Sequence, residues 1–391
     1  MTKTGLIFFA MVLSLFAPYA NVSFNAGAID NIVIFLIFIS PLFLYKAESF
    51  FSVKKNSILI FVYIFFYIFV LLATCFTQII PFAYELFHLL KIFYFIPFFW
   101  ILKPDLDKLD HRLSKFLYLF LTFNMVIILV QHVFKPDFIY LFSNTYSFYY
   151  GNVGMHNRWS GLLLEPNTLG GIGLILFILN DLLGEEGKKK YEIISIVSVI
   201  ASTSKISILV LFAFLMIKYM RFSHFIRFLL LGGVSIPLFF VFNEDTILQK
   251  FGQYQYIFNS LLSGVYIDHN YIESRAQNMI WGASIIYENF PFGTGLGSWG
   301  DASSRFNTEI DVANSLYLSD TAIFHYFVEQ GAAALIYLSL IFIPLFFRGG
   351  VRTGKYLSVF FVLMSIASMG LSMKAWPIWY SYLYSRSFFN K

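Results

Sequence analysis

The sequence predicts an all-α polytopic membrane protein, with about eleven to twelve transmembrane helices and one large extracytoplasmic loop. Three observations predict it. Apolar runs of about twenty residues, the length that crosses a bilayer, recur from end to end of the chain. Charged residues make up 13% of the chain and hydrophobic residues 58%, where soluble domains carry about 25% charge. The cations are also not spread evenly. They gather in KAESFFSVKK (46–55), KPDLDKLDHRLSK (103–115), GEEGKKK (184–190), KYMRFSHFIR (218–227) and RGGVRTGK (348–355). Cytoplasmic loops retain Lys and Arg, so all five belong inside and an even number of crossings separates each pair.

From the N-terminus, GLIFFAMVLSLFAPYA follows a single Lys3 and reads as a first span rather than a cleaved signal. Spans at 5–24 and 31–45 precede the first cationic segment, which places the N-terminus in the cytoplasm. Spans at 57–77 and 84–102 lie before the second segment, and spans at 116–134 and 161–183 before the third.

The stretch YEIISIVSVIASTSKISILVLFAFLMI (191–217) must then go out and return. Each arm has about 13 residues, about 20 Å of helix, against about 30 Å of hydrocarbon. It is therefore a shallow hairpin with STSK (202–205) at its tip, below the outer surface. A span at 228–242 leads to a polar, extracytoplasmic, partly helical segment at 243–317. Spans at 320–347 and 356–373 follow. The tail KAWPIWYSYLYSRSFFNK suits either the outer interface or a short re-entrant helix. The chain thus divides into a membrane bundle (1–242), the loop (243–317) and the rest of the bundle (318–391).

Composition narrows the chemistry. One cysteine, Cys75, excludes an internal disulfide, and the seven histidines show no metal-ligand spacing. A net charge of +5 spread over membrane loops does not indicate nucleic acid. No cofactor is implied.

Ionisable residues in membrane segments are costly and face a cavity or a partner. Several fall at the outer level. RWSGLLLEPNTLGG (158–171) carries Arg158, Glu165 and Asn167. Pro166 suits the first turn of a helix, so RWSGLLLE reads as a loop or short turn and PNTLGGIGLILFILN as the helix proper. Arg158 is an interface anchor, a salt-bridge partner or an anion ligand. Glu165 is a structural ion-pair partner or a functional acid. Lys205, on a hairpin too short to span, calls for a counter-charge, either Glu165 or a ligand phosphate. Arg275 lies in the long loop, and Asp320 and His325 open the next inward span. PFGTGLGSWG resembles a phosphate loop only superficially. It lacks the Walker A pattern and reads as a turn-rich segment allowing close backbone approach. Among 50 Phe and 25 Tyr, a few loop aromatics, Tyr254, Tyr256, Tyr266 and Trp281, can stack on sugar rings. Cations at a leaflet boundary with aromatics above fit a polyprenyl-diphosphate-linked glycan.

RWSGLLLEPNTLGG, the TSK hairpin tip, SRAQNMIWGASIIYENFPFGTGLG and SDTAIFHYFVEQG, in that order over residues 158–331, resemble the O-antigen polymerase and O-antigen ligase superfamily (the Wzy and WaaL type). The resemblance implies a metal-independent glycosyltransferase of the bacterial inner membrane with its active site facing the periplasm. The polymerase branch joins polyprenyl-diphosphate-linked oligosaccharide repeat units into O-antigen or a related surface polysaccharide. Implied partners are the lipid-linked donor and acceptor, membrane lipids and a chain-length regulator protein. The ligase branch has a histidine about eleven residues before the glycine that opens the following span; here that register falls on Asp320, with His325 out of place. The tip carries Lys205 where arginine is common. Both departures favour polymerase over ligase. The implied roles are diphosphate binding by Arg158, Lys205 and Arg275, and general-base work by Asp320 or, second, Glu165. Trp281, Tyr266 and His325 are glycan contacts. A lipid-linked oligosaccharide flippase is the alternative from another class. Transporters more often show two related halves and midplane charges, and this sequence shows neither.

Overall fold

The computed structural model describes residues 105–134, 161–163, 166–184, 188–219, 274–295 and 322–335, with isolated positions 4, 5, 7–9, 11, 12, 15, 65, 356, 360, 379, 382 and 383. Among the described residues the secondary structure is helical, without strands. The chain forms two compact units. One comprises Met1–Ile64, Phe87–Ala213 and Leu340–Lys391, and the other Phe65–Leu86 and Phe214–Ser339.

In the first unit, helix α1 spans Leu106–Phe134. Asp105 caps it: its Oδ1 accepts the Lys108 N–H at 3.2 Å and its carbonyl accepts the Leu109 N–H. The Lys108 ammonium lies 2.7 Å from the same carboxylate. Those bonds from Lys108 hold Asp105 below the usual carboxylate range. Leu106, Leu109, Leu113, Leu117, Phe120, Leu121 and Ile128 form a buried stripe at helical spacing. The opposite face changes character along its length. Asp107, Lys108, His111, Arg112 and Lys115 are exposed, and after them Leu119, Phe123, Val126, Leu129, Val130 and Val133. KPDLDKLDHRLSK, expected as a loop, is thus helical from Leu106 onward, as the charged first turns of α1. Leu106–Val130 is long and apolar enough to cross a membrane, the one such helix among the described residues.

A 3-10 turn at Gly161–Leu163 precedes helix α2, Pro166–Leu182. Pro166 is its first residue, where the missing N–H costs nothing. Every residue from 169 to 180 is buried, so α2 is enclosed on all sides. Gly184, at φ +57°, turns the chain towards helix α3, Lys189–Ala201. α3 packs antiparallel along α2. Asn180 Oδ1 accepts the Lys188 N–H at 2.8 Å, Ser195 Oγ donates to the Gly173 carbonyl at 2.6 Å, and Gly170 lies against Ser202. Glycine is required along this seam. A Cβ on Gly173 would meet Val199 Cγ2 at 2.9 Å, and one on Gly170 would meet Ser207 Oγ at 2.4 Å.

Tyr118 on α1 packs against Tyr191 on α3 with ring centroids 4.7 Å apart, and the Lys190 ammonium lies 5.1 Å over the Tyr118 ring. Residues 105–115 and 188–190, from the two cationic segments that the sequence assigns to one side, therefore lie at one end of these helices. On α3, as on α1, exposure passes from lysines (188–190) to apolar residues (Ile193, Val197, Ile200). At the same end Tyr382 donates a hydrogen bond to Asp110, and Phe177 packs edge-on against Tyr356. Trp379, Tyr382 and Leu383, in the C-terminal tail, are fully buried. Of these, Tyr382 reaches the first turns of α1.

After a sharp tip, helix α4 runs Lys205–Tyr219. In the second unit, helices α5 (Ser274–Asn289) and α6 (Ala322–Gln330) pack together.

Candidate functional site

The hairpin tip is the best-defined part of the site. Ser202 closes α3, its N–H bonded to the Ser198 carbonyl. Thr203 takes the left-handed conformation at φ 50°, unusual for a β-branched residue. Ser204 then caps α4: its Oγ accepts the Ser207 N–H at 3.4 Å and lies 3.1 Å from Ser207 Oγ. Ser202 Oγ in turn accepts the Ser204 N–H at 3.2 Å. The three serines are fully buried. Lys205 is the first residue of α4. Gly170, in the second turn of α2, abuts both Ser202 and Ser207, on either side of the tip. Two segments far apart in purpose on the sequence, the EPN helix start and the TSK tip, are thereby brought together.

The approach to α2 is fixed by a residue that sequence reasoning passed over. Asn124, fully buried on α1, accepts the Leu162 N–H on its Oδ1 at 2.6 Å. Gly161 sits at φ +60° directly on that amide, where a Cβ would lie 2.2 Å from Oδ1. The available signal was an amide inside an apolar span, since such residues rarely occur without a partner.

In the second unit, the turn after α5 is clasped to the end of α6. Asn289 closes α5, its carbonyl accepting the Phe292 and Gly293 N–H groups. The Phe290–Pro291 peptide is cis. Thr294 N–H donates to the Val328 carbonyl, Gly295 N–H to the Glu329 carbonyl and Ala332 N–H to the Pro291 carbonyl, all within 3.0 Å. Thr294 Oγ1 also donates to the Val328 carbonyl. Gly293 (φ +75°) and Gly331 (φ +54°) meet backbone to backbone, and a Cβ on Gly331 would stand 2.2 Å from the Pro291 carbonyl oxygen. PFGTG is thus a close-approach turn, and its partner is VEQG. Two of the motifs behind the superfamily resemblance form one junction.

Of the sequence-derived site residues, Arg158, Glu165, Tyr266 and Asp320 lie outside the described residues, as do Tyr254 and Tyr256. Lys205, Arg275, Trp281 and His325 are placed by their backbones, at the start of α4, near the start of α5, midway along α5 and within α6. Their side chains lie outside the described residues. Arg275, Trp281 and His325 therefore share the α5–α6 pair of the second unit. Among the described residues no group of three or more His, Cys, Asp or Glu could hold a metal ion.

No protein-family model matches the chain. No curated protein matches it significantly.

Proposed function

We propose that the chain is a polytopic, metal-independent membrane glycosyltransferase. In this reading it polymerises polyprenyl-diphosphate-linked oligosaccharide repeat units into O-antigen or a related surface polysaccharide on the periplasmic face of the inner membrane. The observation that carries the reading is the contact of Gly170, in the second turn of α2, with Ser202 and Ser207 on either side of the tip. It joins the EPN helix to the tip that bears Lys205, two of the segments on which the resemblance rests. Helix N-termini present free N–H groups and the positive end of the helix dipole, a setting that favours an anion.

The membrane setting is supported by the exposed faces of α1 and α3. Each passes from charged to apolar side chains, at one level marked by the Tyr118–Tyr191 pair. Tyr and Lys at such a boundary suit the headgroup region. From there α3, with 13 residues, rises about 20 Å. In a hydrocarbon layer about 30 Å thick, Lys205 would then lie about 10 Å short of the far side.

The chemistry is the one that the resemblance implies. The acceptor hydroxyl oxygen bonds to the anomeric carbon of the donor glycan as the bond from that carbon to the diphosphate oxygen breaks. The electron pair leaves on the diphosphate, where Arg158, Lys205 and Arg275 stabilise it. The hydroxyl proton passes to a carboxylate, Asp320 first and Glu165 second. A single displacement inverts the anomeric configuration.

The test is glycan length in cells lacking the gene and carrying Arg158→Ala or Lys205→Ala at normal expression. Single repeat units on the anchor are the expected result. Full-length polymer from both variants removes the diphosphate site. In cells lacking the gene altogether, polymer left on the carrier lipid points to a ligase, and absence of any repeat unit on the anchor points to a flippase.

A further inference from the structure

We infer that the tyrosine pair joining α1 to α3 carries a site for an anionic glycerophospholipid, whose phosphate diester is held by Lys188 and Lys190. The Lys190 ammonium lies 5.1 Å from the centre of the Tyr118 ring and 6.0 Å from that of Tyr191. The Lys188 ammonium lies 5.7 Å from the same Tyr191 centre. The two rings, one from each helix, are themselves packed at 4.7 Å. Two cations therefore converge on one aromatic pair. The ring faces attract each ammonium, but the ammonium groups repel one another. A phosphate between them replaces that repulsion with two charge-assisted hydrogen bonds. Neither lysine forms an ion pair among the described residues; Glu192, four residues after Lys188, is not bridged to it. Both lysines are exposed, so a ligand can reach them.

The level of the pair is the second observation, and it is independent of charge. Just past the two tyrosines the exposed side chains turn apolar, with Leu119 and Phe123 on α1 and Ile193 and Val197 on α3. A headgroup at the rings thus has apolar side chains from both helices available to its acyl chains. This combination selects among phosphates. Free phosphate would meet the lysines and gain nothing from Leu119 or Ile193. A zwitterionic lipid would bring an ammonium of its own to a place that already holds two. An anionic glycerophospholipid suits the cations and the apolar faces together. The site is separate from the cations assigned to the diphosphate, because Lys205 opens α4, beyond the far end of α3.

The inference rests on the membrane setting and not on glycosyl transfer, and none of its measurements involves polymer. The protein is purified in detergent and its thermal unfolding is titrated with micelles containing phosphatidylglycerol, phosphatidylethanolamine or phosphatidylcholine, and separately with soluble glycerol phosphate. Wild type is compared with the double variant Lys188→Gln/Lys190→Gln, with Tyr118→Leu and Tyr118→Phe, and with Lys108→Gln. Lys108 is the control, since Asp105 already holds its ammonium at 2.7 Å. Phosphatidylglycerol should raise the unfolding midpoint of wild type more than the other two lipids do, and glycerol phosphate should not raise it. The double variant should match wild type in phosphatidylcholine and bind phosphatidylglycerol about 25-fold more weakly, about fivefold for each lysine. Lys108→Gln should bind as wild type does. Tyr118→Leu should lose part of the preference, and Tyr118→Phe, which keeps a ring face, should retain it.

Equal stabilisation by all three lipids means a general lipid boundary and overturns the inference. Equal stabilisation by glycerol phosphate means a site for soluble anions and overturns it too. So does a double variant that keeps the wild-type preference. A double variant that unfolds more readily in phosphatidylcholine shows the lysines paired within the chain, with Glu185 or Glu186 as the nearest acids in sequence, and the inference falls.

Discussion

At the scale of single residues, the left-handed glycines separate two costs that are usually confounded. Gly184 and Gly331 have nearly the same φ, +57° and +54°, but a Cβ on Gly184 meets nothing within 4 Å while one on Gly331 meets backbone at 2.2 Å. Gly184→Ala should therefore lose only the conformational term, about 1 kcal/mol. Gly331→Ala adds a clash with an immovable carbonyl and should lose about 3 kcal/mol or fail to fold. Unfolding in denaturant or detergent, compared between the two variants, checks the difference; equal losses would mean that the clasp can yield. The sequence announced PFGTG as a place of close approach because only glycine suits it. It did not announce VEQG as the partner, because a backbone-to-backbone contact leaves no side-chain signature across the intervening residues. Asn124 stands in the sequence as one amide in an apolar run, which has no partner until the chain is folded.

At the scale of elements, α1 carries the sharpest expectation. Its outward face is charged through Lys115 and apolar from Leu119 to Val133. If hydrocarbon covers the second part, Val126→Asp costs about 3 kcal/mol at mid-helix and reduces the membrane-integrated protein severely, while Lys115→Asp does little to integration. Fractionation of cells expressing the two variants decides it. A Val126→Asp protein that folds and stays in the aqueous fraction would contradict a lipid-facing role. Pro166 as the opening of α2, and arms of about 13 residues for the hairpin, were legible because proline geometry and chain length between cations leave little choice. Helices of 13 and 15 residues flank residues 202–204. The first turns of α1 were not legible as helix. Their exposed Asp107, Lys108, His111, Arg112 and Lys115 mark a cationic segment, which hid the buried Leu109, Leu113 and Leu117 stripe beneath.

At the scale of the whole molecule, topology is the most testable consequence. Tyr382 bonds Asp110, and Asp110 belongs to the cationic first turns of α1. Tyr382 therefore belongs on the side of the first turns of α1. In a Cys75→Ser background, Lys391→Cys and Lys108→Cys should react with a membrane-impermeant thiol reagent from the same face. Labelling of Lys391→Cys from the periplasm alone would break that assignment. The sequence left the tail between an outer interface and re-entry because Trp and Tyr suit both a headgroup region and a protein interior. Only the buried partner distinguishes them. Of the candidate site, the sequence yielded the segments and their order. How the segments meet was beyond it, because contacts such as Gly170 with Ser207 depend on helix register rather than on residue type.

The clasp of PFGTG with VEQG has one more implication, for a chain that has been cut. Its hydrogen bonds run between residues 291–294 or 295 and residues 328–332, so the polypeptide between them is not what holds the two ends together. A protease nick within 296–321 would leave α5 and α6 stitched by backbone, as a noncovalent pair. The two fragments, made as separate chains, have in that junction a built-in means of finding each other.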